Sequence, residues 1–251
     1  MSPITPRGIE LNLAAARPME AIRVARSMLH GARTVTLATL DPGGYPYSTV
    51  TNLAVEPDGT PLIYTVFIAL HARNLLADPR VSLTLADMES DVLTTPRLTL
   101  SGLAERVAED GMEAAKTRYL ARFPKAKLYL ALPDAMLFRI RIQAVQLNGG
   151  PAQNANDVTP ADLRTDLSQA AALMAEEKAL LTALNTGDLP ARIAAAAGAA
   201  AGRWKVCGLD PEGIDLAGPA GLARLWLDAP ATTRTAFETA LAKRLALPLA
   251  S

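Results

Sequence analysis

Three short runs with a two-residue rhythm, joined by tight turns, constrain this chain more than any other feature. Thr34–Leu40 alternates Thr34 and Thr36 with Val35 and Leu37, and Asp41-Pro42-Gly43-Gly44 interrupts it. Tyr47–Val55 follows, Glu56-Pro57-Asp58-Gly59 breaks it, and Pro61–Ile68 is apolar on both faces. A period of two is that of a pleated strand, and Asp, Pro and Gly are turn residues for definable reasons of backbone geometry. Strands joined this tightly pair antiparallel.

The same pattern resumes in Val81–Leu85 and in Arg97–Val107, a longer run broken by Gly102, which in a barrel marks a bend or bulge. Met136–Leu147 alternates Phe138, Ile140 and Ile142 with Arg139 and Arg141, which the alternation puts on the exterior. Helical spacing appears in Met19–His30, ended by Gly31, in Ala69–Asp78, ended by Pro79, and in Glu109–Phe123, ended by Pro124. Many antiparallel strands with a few inserted helices predict a closed or split barrel. Gly149–Asp157 reads as a linker. Beyond it, helices over Pro160–Leu184 and Leu189–Ala201 precede strands at Trp204–Gly208, Gly213–Leu216 and Ala223–Leu227, with a last helix at Thr232–Leu247. The fold class is therefore mainly β followed by α+β: a barrel domain over residues 1–152 and a smaller α+β domain over 158–251.

Composition narrows the function. With 25 basic and 25 acidic residues the chain has no net charge, which argues against a nucleic-acid partner. One cysteine and two histidines, His30 and His71, exclude an intrachain disulfide and a Cys- or His-rich metal cluster. No apolar run approaches the roughly 20 residues of a membrane span, and the first residues lack a secretory pattern. A soluble, cytoplasmic protein is expected.

Chemistry concentrates in Pro61–Arg80, where a strand delivers the chain to the start of a short helix. A helix N-terminus offers unpaired N–H groups and partial positive charge, which suit a phosphate. His71, Arg73 and Asn74 open that helix and Thr65 precedes it; Arg73 could grip a phosphate through a bidentate fork. The same residues also suit the solvated face of an ordinary helix. Elsewhere, Glu176 and Glu177 read as surface charge, and Lys116, Arg118, Arg122, Lys125 and Lys127 as a solvated basic face. Trp204 and Trp226 read as core, and Cys207 as an inert buried thiol. Glycine-rich nucleotide loops and a Gly-x-Ser-x-Gly elbow are absent from the sequence.

Several blocks in order carry a resemblance. TLATLDPGGYPYSTV, LHARNLLADPRVSL, TPRLTLSGLAERV and YLARFPKAKLYLALPDAMLFRIRIQAVQLNGG, spanning about residues 20 to 150, resemble the pyridoxamine-phosphate-oxidase-like, FMN-binding split-barrel superfamily. Its haem-utilisation branch, the HugZ-like proteins, carries a His-x-x-Asn-Leu followed by Asp-Pro-Arg. This chain has His71, Asn74, Leu75, Asp78, Pro79 and Arg80 at that spacing. The resemblance implies a homodimer with FMN at the subunit interface, its phosphate on Arg73, Asn74 and His71. Ser48, Thr49, Val50, Thr65 and Val66 would line the flavin edge. It also implies that the second domain is that branch's C-terminal module.

Two positions differ from the family pattern. The oxidases hold the phosphate with a further arginine on the second strand, where this chain has Tyr47, Ser48 and Thr49. The module's two histidines around an asparagine are replaced by Ala183 and Asp188 beside Asn185. Three readings stand open: an FMN-dependent oxidoreductase of unknown substrate and unassigned catalytic residues, a haem-binding or haem-utilisation protein, and a non-enzymatic binder of a small molecule.

Overall fold

The structure, a computed structural model, describes residues 20–86, 91, 93–149, 154–155, 158–219 and 221–246. Helix α1 (Ala21–Gly31) leads into strands β1 (Thr34–Leu40), β2 (Pro46–Val55) and β3 (Pro61–Val66). Helix α2 (Leu70–Ala77) precedes β4 (Arg80–Ala86) and β5 (Arg97–Arg106). Then come α3 (Glu109–Arg122), the short α4 (Lys127–Leu130) and the long β6 (Ala135–Asn148). All pairings are antiparallel, in the order β3-β2-β1-β4-β5-β6, and β3 also pairs with β6, which closes a six-stranded barrel. A two-residue strand, β7 (Asn154–Ala155), adds to the free edge of β6 inside the predicted linker.

Alternation decides the inside of the barrel. Leu37, Leu53, Ile63, Leu83, Leu98, Leu100, Phe138 and Ile140 point into one core, closed by Ala25 and Leu29 of α1 and Ala72 and Leu75 of α2. Each fully buried Leu or Phe contributes about 1.5–3 kcal/mol relative to exposure. The two-faced apolarity of β3 has a separate cause. Leu62 and Leu137 face outward, and with Ala54 they are covered by Ala115 and Tyr119 of α3 and by Phe123 just beyond it.

Two glycines are required by close approach. Gly59 turns the chain from β2 to β3 at φ +87°, a conformation costly for side-chain-bearing residues. Gly102 lies where the β5–β6 register shifts, and a Cβ there would stand 2.2 Å from the carbonyl oxygen of Arg141. The predicted bulge is a tight strand contact.

The C-terminal unit contains α5 (Ala171–Ala175), α6 (Glu177–Leu184), α7 (Leu189–Ala196), a β8-β9-β10 sheet and α8 (Arg234–Ala246). Its strands are β8 (Lys205–Asp210), β9 (Gly213–Gly218) and β10 (Gly221–Trp226). Leu173, Leu180, Ile193, Leu216, Leu225 and Phe237 form its core. The single helix predicted over Pro160–Leu184 is broken, because its first part stays on the barrel. Thr165 N–H donates to the Asp58 carbonyl, Arg164 pairs with Asp58, and Val158 and Leu163 enter the barrel core.

A buried polar cluster joins this unit to α1. His30 Nδ1 lies 3.2 Å from Asp215 Oδ2, Arg224 Nη1 donates to Asp215 at 2.8 Å, and Arg224 Nη2 spans both Asp210 oxygens at 2.7 Å. Trp226 lies against α1 rather than within a core: the guanidinium groups of Arg23, Arg26 and Arg224 stand 4.5, 5.1 and 4.1 Å from its ring.

Three surface readings change accordingly. Arg122 is buried and donates to the carbonyls of His30 and Ala32, while Arg118 donates to the Val55 carbonyl and pairs with Glu177. Neither arginine belongs to a solvated face. Glu177 is not ordinary surface charge either, since burial raises its carboxyl pKa. Arg139, on the barrel exterior as predicted, pairs with Glu56. Cys207 is buried and its thiol is pushed up to about 11, first by desolvation, as an inert thiol requires.

Candidate functional site

The split in the barrel lies between β2 and β3. These strands pair only over Leu53–Val55 with Pro61–Ile63; β3 then departs to follow β6 as far as Val66 opposite Ala135. Among the described residues, no strand pairs with the outer edge of β2 from Pro46 to Asn52, although its inner edge is paired with β1 throughout. Ser48 and Val50 are exposed there and Thr49 is half-buried.

Helix α2 fills part of the gap. The chain leaves β3 through Phe67 and Ile68, Ala69 N–H donates to Val66 O at 3.0 Å, and the helix starts at Leu70 and packs on β1 and β2. The N–H groups of Ala72 and Arg73 both donate to Ala69 O. Those of Leu70 and His71 precede any intrahelical acceptor, as the first turn of a helix requires.

Two side-chain contacts fix this junction. His71 Nε2 lies 2.8 Å from Thr65 Oγ1, the threonine being buried at the end of β3. Asn74 is also buried and donates through Nδ2 to Thr39 Oγ1 at 3.0 Å, which ties α2 to β1. Asn74 therefore serves the scaffold, and its partner Thr39 had no local signal beyond its place in the β1 alternation. Burial lowers the pKa of His71, which keeps the imidazole neutral at neutral pH.

Arg73 is exposed and its side chain makes no hydrogen bond or ion pair among the described residues. Arg80, in the Asp-Pro-Arg element, is engaged: its Nε and Nη2 donate to Asp78, whose carboxyl it holds down to about 2. An apolar surface flanks the junction, with Val50 67 %, Phe67 55 % and Ile68 81 % exposed. The sequence reading marked Val50 but missed Phe67 and Ile68, which the strand pattern had placed in β3. Thus Thr65, His71 and Asn74 form one fixed corner, Val66 ends the strand beside it, and Arg73 stands free. Ser48, Thr49 and Val50 lie on the neighbouring strand. Among the described residues, no group of three His, Cys, Asp or Glu side chains could hold a metal ion, and no helix is long and apolar enough to cross a membrane.

A barrel split at one seam, with a strand–helix corner beside it, is the architecture of the pyridoxamine 5'-phosphate oxidase family. Residues 23–149 match that family's model, and the chain belongs to it. The chain is 52% identical to Atu2129, a protein of unknown function from Agrobacterium tumefaciens, with a TM-score of 0.84 over 90% of this chain and 95% of that one. It is 26% identical to a heme binding protein from Mycobacterium smegmatis, with a TM-score of 0.54 over 92% of this chain and 98% of that one. It is also 33% identical over 145 residues to the chloroplastic non-canonical heme oxygenase HOZ of Arabidopsis thaliana, matching 57% of this chain but only 44% of HOZ. The resemblance to the haem-utilisation branch holds.

Proposed function

We propose that this protein binds haem at the β3–α2 junction. The observation that carries the reading is the exposure of three apolar side chains on the elements that flank the junction, Val50 on β2 and Phe67 and Ile68 between β3 and α2, together with the unengaged guanidinium of Arg73 and the neutral imidazole of His71 on α2. A flat macrocycle would cover the apolar surface and a propionate would meet Arg73. His71, whose Nε2 is held at Thr65 Oγ1, would offer the iron its other ring nitrogen, because His30 is buried against Asp215. Bound haem would supply iron and its redox chemistry, while the protein sets orientation and access. The descriptions of the Mycobacterium and Arabidopsis relatives support this reading. The separate cores support two domains, a barrel expected over 1–152 and a C-terminal domain expected over 158–251, with Val158 and Leu163 of the second stretch packed in the first core. The unpaired edge of β2 and the apolar surface beside it support a homodimer with the site at its seam.

A second reading, FMN bound by an oxidoreductase, is favoured by the first turn of α2. Its N–H groups and Arg73 suit a phosphate. Weighing against it, Ser48 and Thr49 offer hydroxyls where a second cation would serve, and Arg80 is committed to Asp78. Absorption spectra of the full chain with haemin and with FMN separate the readings. A saturable Soret band at one haem per chain supports haem. Saturable quenching of flavin fluorescence without a Soret change supports FMN, and neither signal leaves a binder of another small molecule.

A further inference from the structure

A cavity lies away from the barrel seam, between α3 and the C-terminal unit. Its volume is ≈ 920 Å³, within the range of about 300–1,000 Å³ typical of small-molecule sites. Ala114, Thr117 and Ala121 recur along one face of α3, so the helix presents small side chains where a larger one would fill the space. Leu181 of α6 and Val206 and Cys207 of β8 complete an apolar lining. The walls are held firmly. Asn185 donates to the carbonyls of Leu181 and Val206 and accepts from Val206 N–H, which fastens α6 to β8.

The charge around this lining is one-sided once the ion pairs are removed. Glu113 is matched by Lys116 and Glu177 by Arg118. Lys178 and Lys205, both on the cavity wall, form no ion pair among the described residues. Nη2 of the paired Arg118 is buried and has no acceptor among the described residues. An apolar chamber with unmatched cations and an unfilled helix face is built for a molecule with a hydrocarbon body and an anionic head.

We propose that this cavity binds a small amphipathic carboxylate, its body between α3 and α6 and its anionic head at the rim, drawn there by the charge that Lys178 and Lys205 place at the two ends of the α6–β8 wall. Such a ligand would bridge the barrel and the C-terminal unit, and the site is independent of the β3–α2 junction.

The test titrates the full chain with dansyl-undecanoate, followed by dansyl fluorescence, with decanoate and decanol as competitors. The expected result is saturable binding at one site per chain, with decanoate displacing the probe at concentrations about tenfold lower than decanol. Ala121→Trp should fill the chamber and weaken binding at least about tenfold. Thr182→Trp, on the exposed opposite wall, carries the same expectation if the first variant does not fold. Lys178→Glu combined with Lys205→Glu should remove the preference for decanoate while haemin uptake is unchanged. Non-saturable binding, equal displacement by the acid and the alcohol, or unchanged affinity in a folded tryptophan variant would overturn the proposal.

Discussion

The imidazole of His30 in α1 and the carboxylate of Asp215 in β9 are 185 residues apart in the chain and 3.2 Å apart in space, both withdrawn from water. With Arg224 and Asp210 they form a buried polar joint, in which the ion pairs lie within the C-terminal sheet and His30 ties them to the barrel's first helix. A buried ion pair is costly to form and costlier to break on one side.

Arg224→Ala should therefore strand two buried carboxylates, Asp210 and Asp215, without their cation. A loss of about 3–5 kcal/mol is expected, read as a lowered urea midpoint. A midpoint within error of wild type would show that the joint adds nothing to stability.

Acid should weaken the same joint. Burial first, and then Arg224, lowers the pKa of His30 from its ordinary 6.5. Between the folded value and 6.5 the unfolded chain binds a proton that the folded chain refuses. Stability is full above this window and declines as pH falls through it. Asp215 adds the same sign further down: burial would raise its carboxyl, but the Arg224 charge and the hydrogen bond with His30 hold it well below 3.8, so stability is also lost as pH falls beneath that value. Thermal melts should thus show Tm decreasing below about pH 6.5, and His30→Gln should flatten the upper part of that decline. An unaltered slope in the variant would remove His30 as its source.

Gly102→Ala places a methyl group against the Arg141 carbonyl at the β5–β6 register shift. The strands must part to admit it, at a cost of about 1–3 kcal/mol in chemical denaturation. Gly31→Ala, where nothing lies within 4 Å of the added carbon, is the control and should be close to neutral.

The barrel was legible because its signals are local. Val35 and Leu37 alternate with threonines, and the turns after Leu40 and Val55 carry Asp, Pro and Gly, so β1, β2 and β3 follow from neighbouring residues. The polar joint was not legible, since His30, Asp210, Asp215 and Arg224 come from distant segments with no shared spacing. Arg118 and Arg122 looked solvated because residues outside α3, Glu177 and the carbonyls of His30 and Ala32, take them out of water. At the candidate site the residue types were visible, but their division of labour was not. Asn74 faces Thr39 inside the scaffold and Arg73 faces solvent, although they are adjacent in sequence.

That division allows the central claim to be tested at two side chains. Haemin titrated into the full chain, His71→Ala and Arg73→Ala, followed at the Soret band, measures the contribution of the imidazole to the iron and of the guanidinium to the anionic edge separately. The account predicts a displaced or diminished Soret band in His71→Ala. In Arg73→Ala it predicts the wild-type band position with affinity lowered roughly tenfold, the scale of one lost charge-assisted contact. Wild-type band position and affinity in both variants would contradict it and place any haem elsewhere on the protein.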